Sequence, residues 1–84
     1  MPYKVRLNKQ VFKVLEKLNE PEYSRIKNAI YDLADEPRPK GYIQLKGRDA
    51  FRIRVGVYRI IYEVFDEILT VQVVDIGHRK DIYK

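Results

Sequence analysis

Several kinds of site are excluded by residues that this 84-residue sequence lacks. It contains no cysteine, so it forms neither disulfides nor thiolate metal sites. Ser24 is its one serine and falls inside a predicted helix, which argues against a serine nucleophile. There is no glycine-rich phosphate loop, no Gly-x-Ser-x-Gly motif and no His, Asp and Glu cluster at metal-ligand spacing. We therefore expect neither a metal nor another cofactor.

Long hydrophobic runs are also missing. No stretch approaches the roughly 20 apolar residues of a membrane span, and the first residues do not have the pattern of a signal peptide. We expect a cytoplasmic protein without a membrane partner. Apolar residues make up 45% of the chain, as in folded proteins, and the length suits one domain with one core. Residues 1–84 are thus expected to form a single domain.

Positive charge is concentrated in one segment. The formal net charge is +5, yet residues 38–59 hold seven basic side chains against one acidic side chain, a net of +6. A local excess of this kind is typical of a surface that binds a polyanion such as nucleic acid. The alternative is a solvated basic surface without a ligand.

The hydrophobic pattern predicts an α+β fold, in which an N-terminal strand and an antiparallel helix pair pack on one face of an antiparallel β-sheet meander. Asn8 is predicted to be the N-cap of the first helix, with its side-chain oxygen accepting hydrogen bonds from the amides of the first turn. The Val73–Val74 doublet breaks the alternation of the last strand, which indicates a β-bulge or a strand buried on both faces. The predicted strands are 3–7, 41–46, 51–55, 58–64 and 69–76, and the predicted helices are 9–18 and 22–35.

The segment 51–63 is predicted to form a β-hairpin with an arginine-rich face. Apolar residues alternate with Arg52 and Arg54, the pattern of a strand with one buried face. Gly56-Val57 suits a type II′ turn, and in that register Arg54 lies directly opposite Arg59. Because opposed like charges destabilise a hairpin, we expect this face to bind an anion.

The candidate site consists of arginines, one histidine and one tyrosine. The planar donor fork of arginine suits phosphate oxygens, aromatic rings stack on unpaired bases, and histidine often transfers protons. Each residue type also has a structural alternative: strand solubilisation for the arginines, a core cap for the tyrosine and a structural role for the histidine. The candidates are Arg52, Arg54, Arg59, His78, Arg79 and Tyr83.

Two runs of the sequence resemble a known family. L-K-G-R-D-A-F-R-I-R-V-G-V-Y-R-I-I-Y-E-V and G-H-R-K-D-I-Y are similar to the RelE branch of the RelE/ParE toxin superfamily, and the resemblance covers nearly the whole chain. It implies a toxin of a type II toxin–antitoxin module. Such toxins enter the A site of a 70S-type ribosome and cut mRNA without a metal, by 2′-hydroxyl attack on the adjacent phosphate. The implied protein partner is a RelB-like antitoxin that wraps the toxin.

The resemblance also implies residue roles. The basic strand residues of the family fall on Arg52 and Arg54, its phosphate-binding arginine on Arg59, the arginine after its last strand on Arg79, and its terminal tyrosine on Tyr83. Founding members have lysines in place of the first two. Since arginine is not readily deprotonated, these two act electrostatically, and His78 is an additional candidate for general acid or base.

Three further basic residues are candidates for RNA binding: Lys46, Arg48 and Lys80. Two alternative functions are also open. One alternative function is a ParE-like toxin that inhibits DNA gyrase through protein contacts. The other is a non-catalytic module that binds RNA without cutting it.

Overall fold

The computed structural model describes residues 2–78, which form five strands, two α-helices and one short 3-10 helix. No helix in that range combines the length and the apolar character that a membrane crossing requires. The elements in chain order are β1 (Lys4–Leu7), α1 (Lys9–Lys17), α2 (Glu22–Asp32), β2 (Ile43–Gln44), β3 (Phe51–Val55), β4 (Tyr58–Phe65), the 3-10 helix (Asp66–Ile68) and β5 (Thr70–His78).

The five strands form one sheet in the order β1-β5-β4-β3-β2. Strands β2 to β5 pair antiparallel as a meander, which confirms the prediction. Strand β1 adds to the free edge of β5 in parallel, with Val5 opposite Val71, so the sheet as a whole is mixed. A parallel pair of strands needs a long connection between them, and here both helices and strands β2 to β4 lie between β1 and β5 in the chain. The predicted α+β fold is confirmed.

Two predicted elements are longer than those observed by three residues or more. Helix α2 ends at Asp32 because its last turn tightens: the amides of Leu33 and Ala34 donate to carbonyls three residues earlier. Strand β2 covers two residues rather than six. Its short pairing with Phe51 and Arg52 leaves the rest of β3 as an edge strand.

The hydrophobic core lies between the helices and one face of the sheet. Helix α1 packs against β5 and helix α2 against β3. The side chains of this core alternate along the strands with those of the opposite face, as the pleat requires. The buried hydrophobic cluster contains Val11, Ile26, Ile30, Leu33, Phe51, Ile60, Tyr62, Val71, Val73 and Ile76. We call the opposite face, which carries Arg52, Arg54 and Arg59, the arginine face.

Asn8 precedes α1 with the extended backbone of an N-cap residue, φ −67° and ψ 157°, as predicted. The predicted side-chain cap is wrong, since Asn8 makes no cap hydrogen bond. Its Oδ1 accepts instead from Nε2 of Gln72 at 2.5 Å. The side chain therefore ties the start of α1 to β5 rather than stabilising the helix end.

A β-bulge in β5 changes the face on which its later residues lie. Tyr62 is opposite Val73, whereas Ile61 is opposite Asp75, so Val74 is the extra residue. This confirms the bulge alternative predicted from the valine doublet. The carbonyl oxygen of Val74 accepts a hydrogen bond from Nε2 of Gln10 at 2.9 Å, which ties the bulge to α1. Beyond it, Asp75 joins the arginine face.

Candidate functional site

The β3–β4 hairpin has the predicted register and turn. Val55 is opposite Tyr58, and Arg54 is opposite Arg59. Gly56 has φ +60°, whereas the φ of Val57 is not positive, as a type II′ turn requires. The turn thereby fixes two arginines side by side on neighbouring strands.

Three strands contribute to one row across the arginine face: Arg54 on β3, Arg59 on β4 and Gly77 on β5. Directly opposite residues lie about 5 Å apart at their Cα atoms. Gly77 has no side chain, so β5 contributes none to this row. The register therefore places two arginines side by side on one face of the sheet.

The two arginines of this row differ in exposure. Arg54 is exposed, whereas Arg59 is only 2% exposed. A buried guanidinium is costly unless polar groups surround it. In a low-dielectric setting, however, its attraction to an anion is stronger than in water. Arg54 is thus open to a ligand in solvent, whereas Arg59 is almost fully enclosed by the protein.

The next row across the sheet contains Asp75, Ile61, Arg52 and Ile43 on β5, β4, β3 and β2. Diagonal neighbours in a sheet lie about 7 to 8 Å apart, which places Arg52 at that distance from Arg59. Neither Arg52 nor Arg54 makes an ion pair with any residue in the range 2–78. Both remain available to the negative charge of a ligand.

Arg38, which the charge map of the sequence groups with these arginines, is bound elsewhere. Its Nη1 and Nη2 donate to the two carboxylate oxygens of Asp66 at 3.3 and 2.9 Å. The guanidinium also lies 5.4 Å from the ring centroid of Phe51, and the Tyr3 hydroxyl donates to Asp66 at 2.6 Å. The hydrogen bonds from Arg38 and then Tyr3 lower the pKa of Asp66. Arg38 therefore links the loop after α2 to the 3-10 helix and does not belong to the site.

Lys46 and Arg48 are exposed in the loop between β2 and β3. This loop adjoins Phe51, at the end of β3 away from Gly56. Three residues of strand, about 10 Å, separate that end from Arg54. The two side chains extend the positive charge along β3 without joining the arginine row.

His78 lies on the face opposite the arginines. It is the sheet partner of Tyr58, whose side chain packs against the core, and the two rings meet edge to face at 5.4 Å and 81°. The structure therefore does not bring His78 together with the arginine row. Arg79, Lys80 and Tyr83 lie outside the described residues.

Sequence reasoning missed three residues beside the arginines: Ile61, Asp75 and Gly77. The doublet at Val73–Val74 indicated a bulge, but the pattern alone does not give the register beyond it. That register depends on pairing with β4, so only the fold shows that Asp75 and Gly77 share a face with Arg59. Among residues 2–78, no three His, Cys, Asp or Glu side chains cluster as metal ligands would.

Comparison with known proteins gives consistent matches along the chain. Residues 4–83 match the family model described as the ParE toxin of the type II toxin–antitoxin system, parDE. The chain is 34% identical over 86 residues to Toxin RelG of Mycobacterium tuberculosis, covering 100% of this chain and 99% of that toxin. It is 31% identical over 88 residues to the putative toxin RelE1 of Methanocaldococcus jannaschii, covering 100% and 98%.

Solved structures with a similar fold belong to the same group of proteins. A chain in the crystal structure of the archaeal RelE–RelB complex from Pyrococcus horikoshii superimposes with a TM-score of 0.85 and 33% sequence identity. The match covers 94% of this chain and 97% of that chain. Sequence and fold therefore point to the same group of proteins.

Proposed function

The chain belongs to the ParE toxin family of type II toxin–antitoxin systems, on its RelE-like branch, and from this premise we propose that it is a ribosome-dependent endoribonuclease that cuts mRNA. The observation that carries the proposal is the opposed pair Arg54 and Arg59 beside Gly77. Two arginines that lie side by side on one face of the sheet suit the oxygens of a phosphodiester.

The proposed reaction is metal-independent attack by a 2′-hydroxyl on the adjacent phosphate. The new bond joins the 2′-oxygen to phosphorus, and the bond from phosphorus to the 5′-oxygen breaks. The products are a 2′,3′-cyclic phosphate and a 5′-hydroxyl, which receives the proton that the 2′-hydroxyl loses. Negative charge accumulates on the phosphate oxygens in the transition state, and fixed cationic donors lower its free energy.

Each arginine has a proposed role in this reaction. Arg59, buried and fixed, binds an oxygen of the scissile phosphate together with Arg79. Arg54 and Arg52 stabilise the developing charge, since arginine does not act as a base. Lys46 and Arg48 guide the RNA strand, and Lys80 adds to this binding surface.

Proton transfer is assigned to other groups. Tyr83 orients or stacks on a base and helps to activate the 2′-hydroxyl. His78 is retained as an alternative general acid or base, although its ring lies against Tyr58 on the opposite face. An unchanged cleavage rate in His78→Ala would remove it from the mechanism.

A RelB-like antitoxin is the proposed partner, because the similar chain from Pyrococcus horikoshii occurs in a RelE–RelB complex. The arginine face favours an acidic or extended segment that covers the site and blocks RNA. Affinity capture of a small co-encoded protein tests this partner. The proposal fails if a co-expressed neighbouring protein neither binds the chain nor relieves its toxicity.

The decisive experiment is a reconstituted translation reaction with a 70S-type ribosome, in which the ends of the mRNA are mapped. The wild-type chain is expected to cut mRNA only when ribosomes are present, leaving 2′,3′-cyclic phosphate ends. Arg52→Ala with Arg54→Ala should reduce the cleavage rate by about 100-fold or more, since it removes two donors to the transition state.

A matched control removes two positive charges elsewhere. Lys9 and Lys13 are exposed on α1, away from the arginine face, so Lys9→Ala with Lys13→Ala should retain cleavage. Equal cleavage by the arginine variant and the wild-type chain, with equal thermal stability, would refute the site. Intact mRNA with the wild-type chain would refute the nuclease function itself.

The family model supports a second candidate, a ParE-like toxin that inhibits DNA gyrase, because its description names the ParE toxin. In that case expression would lead to cleaved DNA while mRNA stays intact. A third outcome, binding of RNA without cleavage of either nucleic acid, would identify a non-catalytic RNA-binding module.

A further inference from the structure

One carboxylate lies on the arginine face within one nucleotide of the arginine row. We propose that Asp75 selects the base next to the scissile phosphate and that it favours guanine, an inference that rests on the nuclease function proposed above. The bulge at Val74 is what places Asp75 on this face.

The bulge has a direct consequence for Asp75. Without the extra residue, Val74 would be opposite Ile61, and Asp75 would be directed toward the core. With it, Asp75 is opposite Ile61 and Ile76 enters the core, where it is 4% exposed. Bulges commonly redirect a side chain beside a functional site. The hydrogen bond from Gln10 to the carbonyl of Val74 holds this arrangement.

The spacing suits a single nucleotide. Asp75 lies two residues before Gly77, the sheet partner of Arg59, so Asp75 and Arg59 are diagonal neighbours about 7 to 8 Å apart at their Cα atoms. A nucleotide whose phosphate lies at the arginine row therefore has a base close enough to reach the carboxylate of Asp75. Ile61, between Asp75 and Arg52, is partly exposed and offers an apolar surface for the face of the base.

The orientation of the carboxylate is fixed by the backbone. Its Oδ1 accepts a hydrogen bond from the amide of Ile76 at 2.9 Å. A carboxylate oxygen accepts more than one hydrogen bond, so both oxygens remain able to accept from a ligand. Asp75 is exposed and makes no ion pair with any residue that the structure describes.

The chemistry of an ionised carboxylate selects guanine. It has acceptors alone, and guanine is the base whose Watson–Crick edge presents two adjacent donors, N1–H and the N2 amino group. Adenine and cytosine place a ring-nitrogen acceptor beside their amino group, and uracil places its one N–H between two carbonyl oxygens. These edges would set an acceptor against the carboxylate, which costs the lost hydrogen bond and adds repulsion.

Glu63 provides a matched control. It is a second carboxylate on the same face, but it lies one row further from the arginine row, opposite Gln72. Glu63→Gln removes the same charge as Asp75→Asn and leaves the proposed base contact in place. Asp75→Asn also retains an oxygen that can accept from the Ile76 amide, so the fold should persist.

The experiment uses ribosomes programmed with mRNAs whose A-site codon is randomised, and sequences the cut ends. We expect the wild-type chain to favour guanine at one position beside the cut by about 10-fold or more, the discrimination typical of a bidentate base contact. Asp75→Asn should shift that preference toward adenine or cytosine, since an amide presents one donor and one acceptor. Asp75→Ala should abolish the preference, and Glu63→Gln should leave it unchanged.

The outcomes separate the two proposals. Efficient cleavage with the same base preference in wild type, Asp75→Asn and Asp75→Ala would overturn the role of Asp75 while the nuclease function stands. The same holds if Glu63→Gln alters the preference as much as Asp75→Asn does. If the wild-type chain cuts no mRNA, the nuclease function and the inference fail together.

Discussion

The two ends of the sheet use arginine in opposite ways. At the hairpin end, Arg54 is exposed and has no carboxylate partner among residues 2–78. At the other end, Arg38 is held by both oxygens of Asp66 and by the ring of Phe51. Both side chains come from the same basic segment of the sequence. An arginine becomes structural when the fold brings a carboxylate to it, and otherwise its charge remains available to a ligand.

The largest expected effect is the loss of mRNA cleavage when Arg54 is replaced. Arg54→Ala should lower the rate of mRNA cleavage by about 100-fold, because it removes a cation from the transition state. Its thermal stability should stay close to that of the wild type, since exposed substitutions without partners change stability little. Ribosome-dependent cleavage and thermal unfolding are measured on the same preparation.

Arg38→Ala is the opposite case and serves as the control. It should lower the melting temperature, because Asp66 loses its main hydrogen-bond donor, yet the folded fraction should cleave mRNA at the wild-type rate. If Arg38→Ala slowed cleavage as much as Arg54→Ala does, the different roles of the two arginines would be refuted. Unfolding of the chain by Arg54→Ala would refute them as well.

The features that the sequence predicts well depend on residues that are close together in the chain. Alternation along 51–55 and the Gly56-Val57 turn fix the register of Arg54 and Arg59, because a two-residue loop leaves one pairing. Helical spacing likewise predicts the two helices, whose first residues, Lys9 and Glu22, are those observed. These features need no information from distant parts of the chain.

The features that the sequence does not predict depend on residues that are far apart in the chain. Arg38 and Asp66 are 28 residues apart, and no local pattern indicates that they pair. The side chain of Asn8 finds Gln72, 64 residues away, in place of its predicted cap. The position of Asp75 likewise follows from the pairing of two strands rather than from periodicity.

A second effect, of intermediate size, concerns the loop that carries Arg38. The buried hydroxyl of Tyr62 donates to the carbonyl of Pro37 at 2.8 Å, which fixes the backbone beside Arg38. Tyr62→Phe should destabilise the fold by about 1 kcal/mol, the usual net value of one hydrogen bond. Chemical denaturation at neutral pH measures this loss, and cleavage by the folded protein should be unaffected. An effect on cleavage without one on stability would contradict the separation of the two ends.

The same tyrosine predicts a dependence at high pH. Burial, the largest cause, raises the pKa of Tyr62 to about 12, while the charge of Arg38 opposes this rise. The unfolded value is about 10, so the folded state holds the proton more tightly. The resulting stabilisation is complete below about pH 10 and is lost as the pH rises toward the folded value. Tyr62→Phe should lack this part of the alkaline loss.

The smallest expected effect is on stability at low pH, and it tests only the end of the sheet near Arg38. Hydrogen bonds from Arg38 and then Tyr3 lower the pKa of Asp66 in the folded chain. A depressed folded pKa stabilises the protein above the unfolded value, about 3.9, and this contribution disappears as the pH falls through the folded value. Asp66 and Arg38 are both well exposed, so solvent screens the interaction and the effect should be modest. Asp66→Asn should therefore be less stable than wild type at neutral pH and should approach it in acid. Because Arg52 and Arg54 have no such carboxylate partner among residues 2–78, Arg54→Ala should show the acid dependence of the wild type. A changed dependence would mean that an acidic side chain of the protein also binds the hairpin arginines.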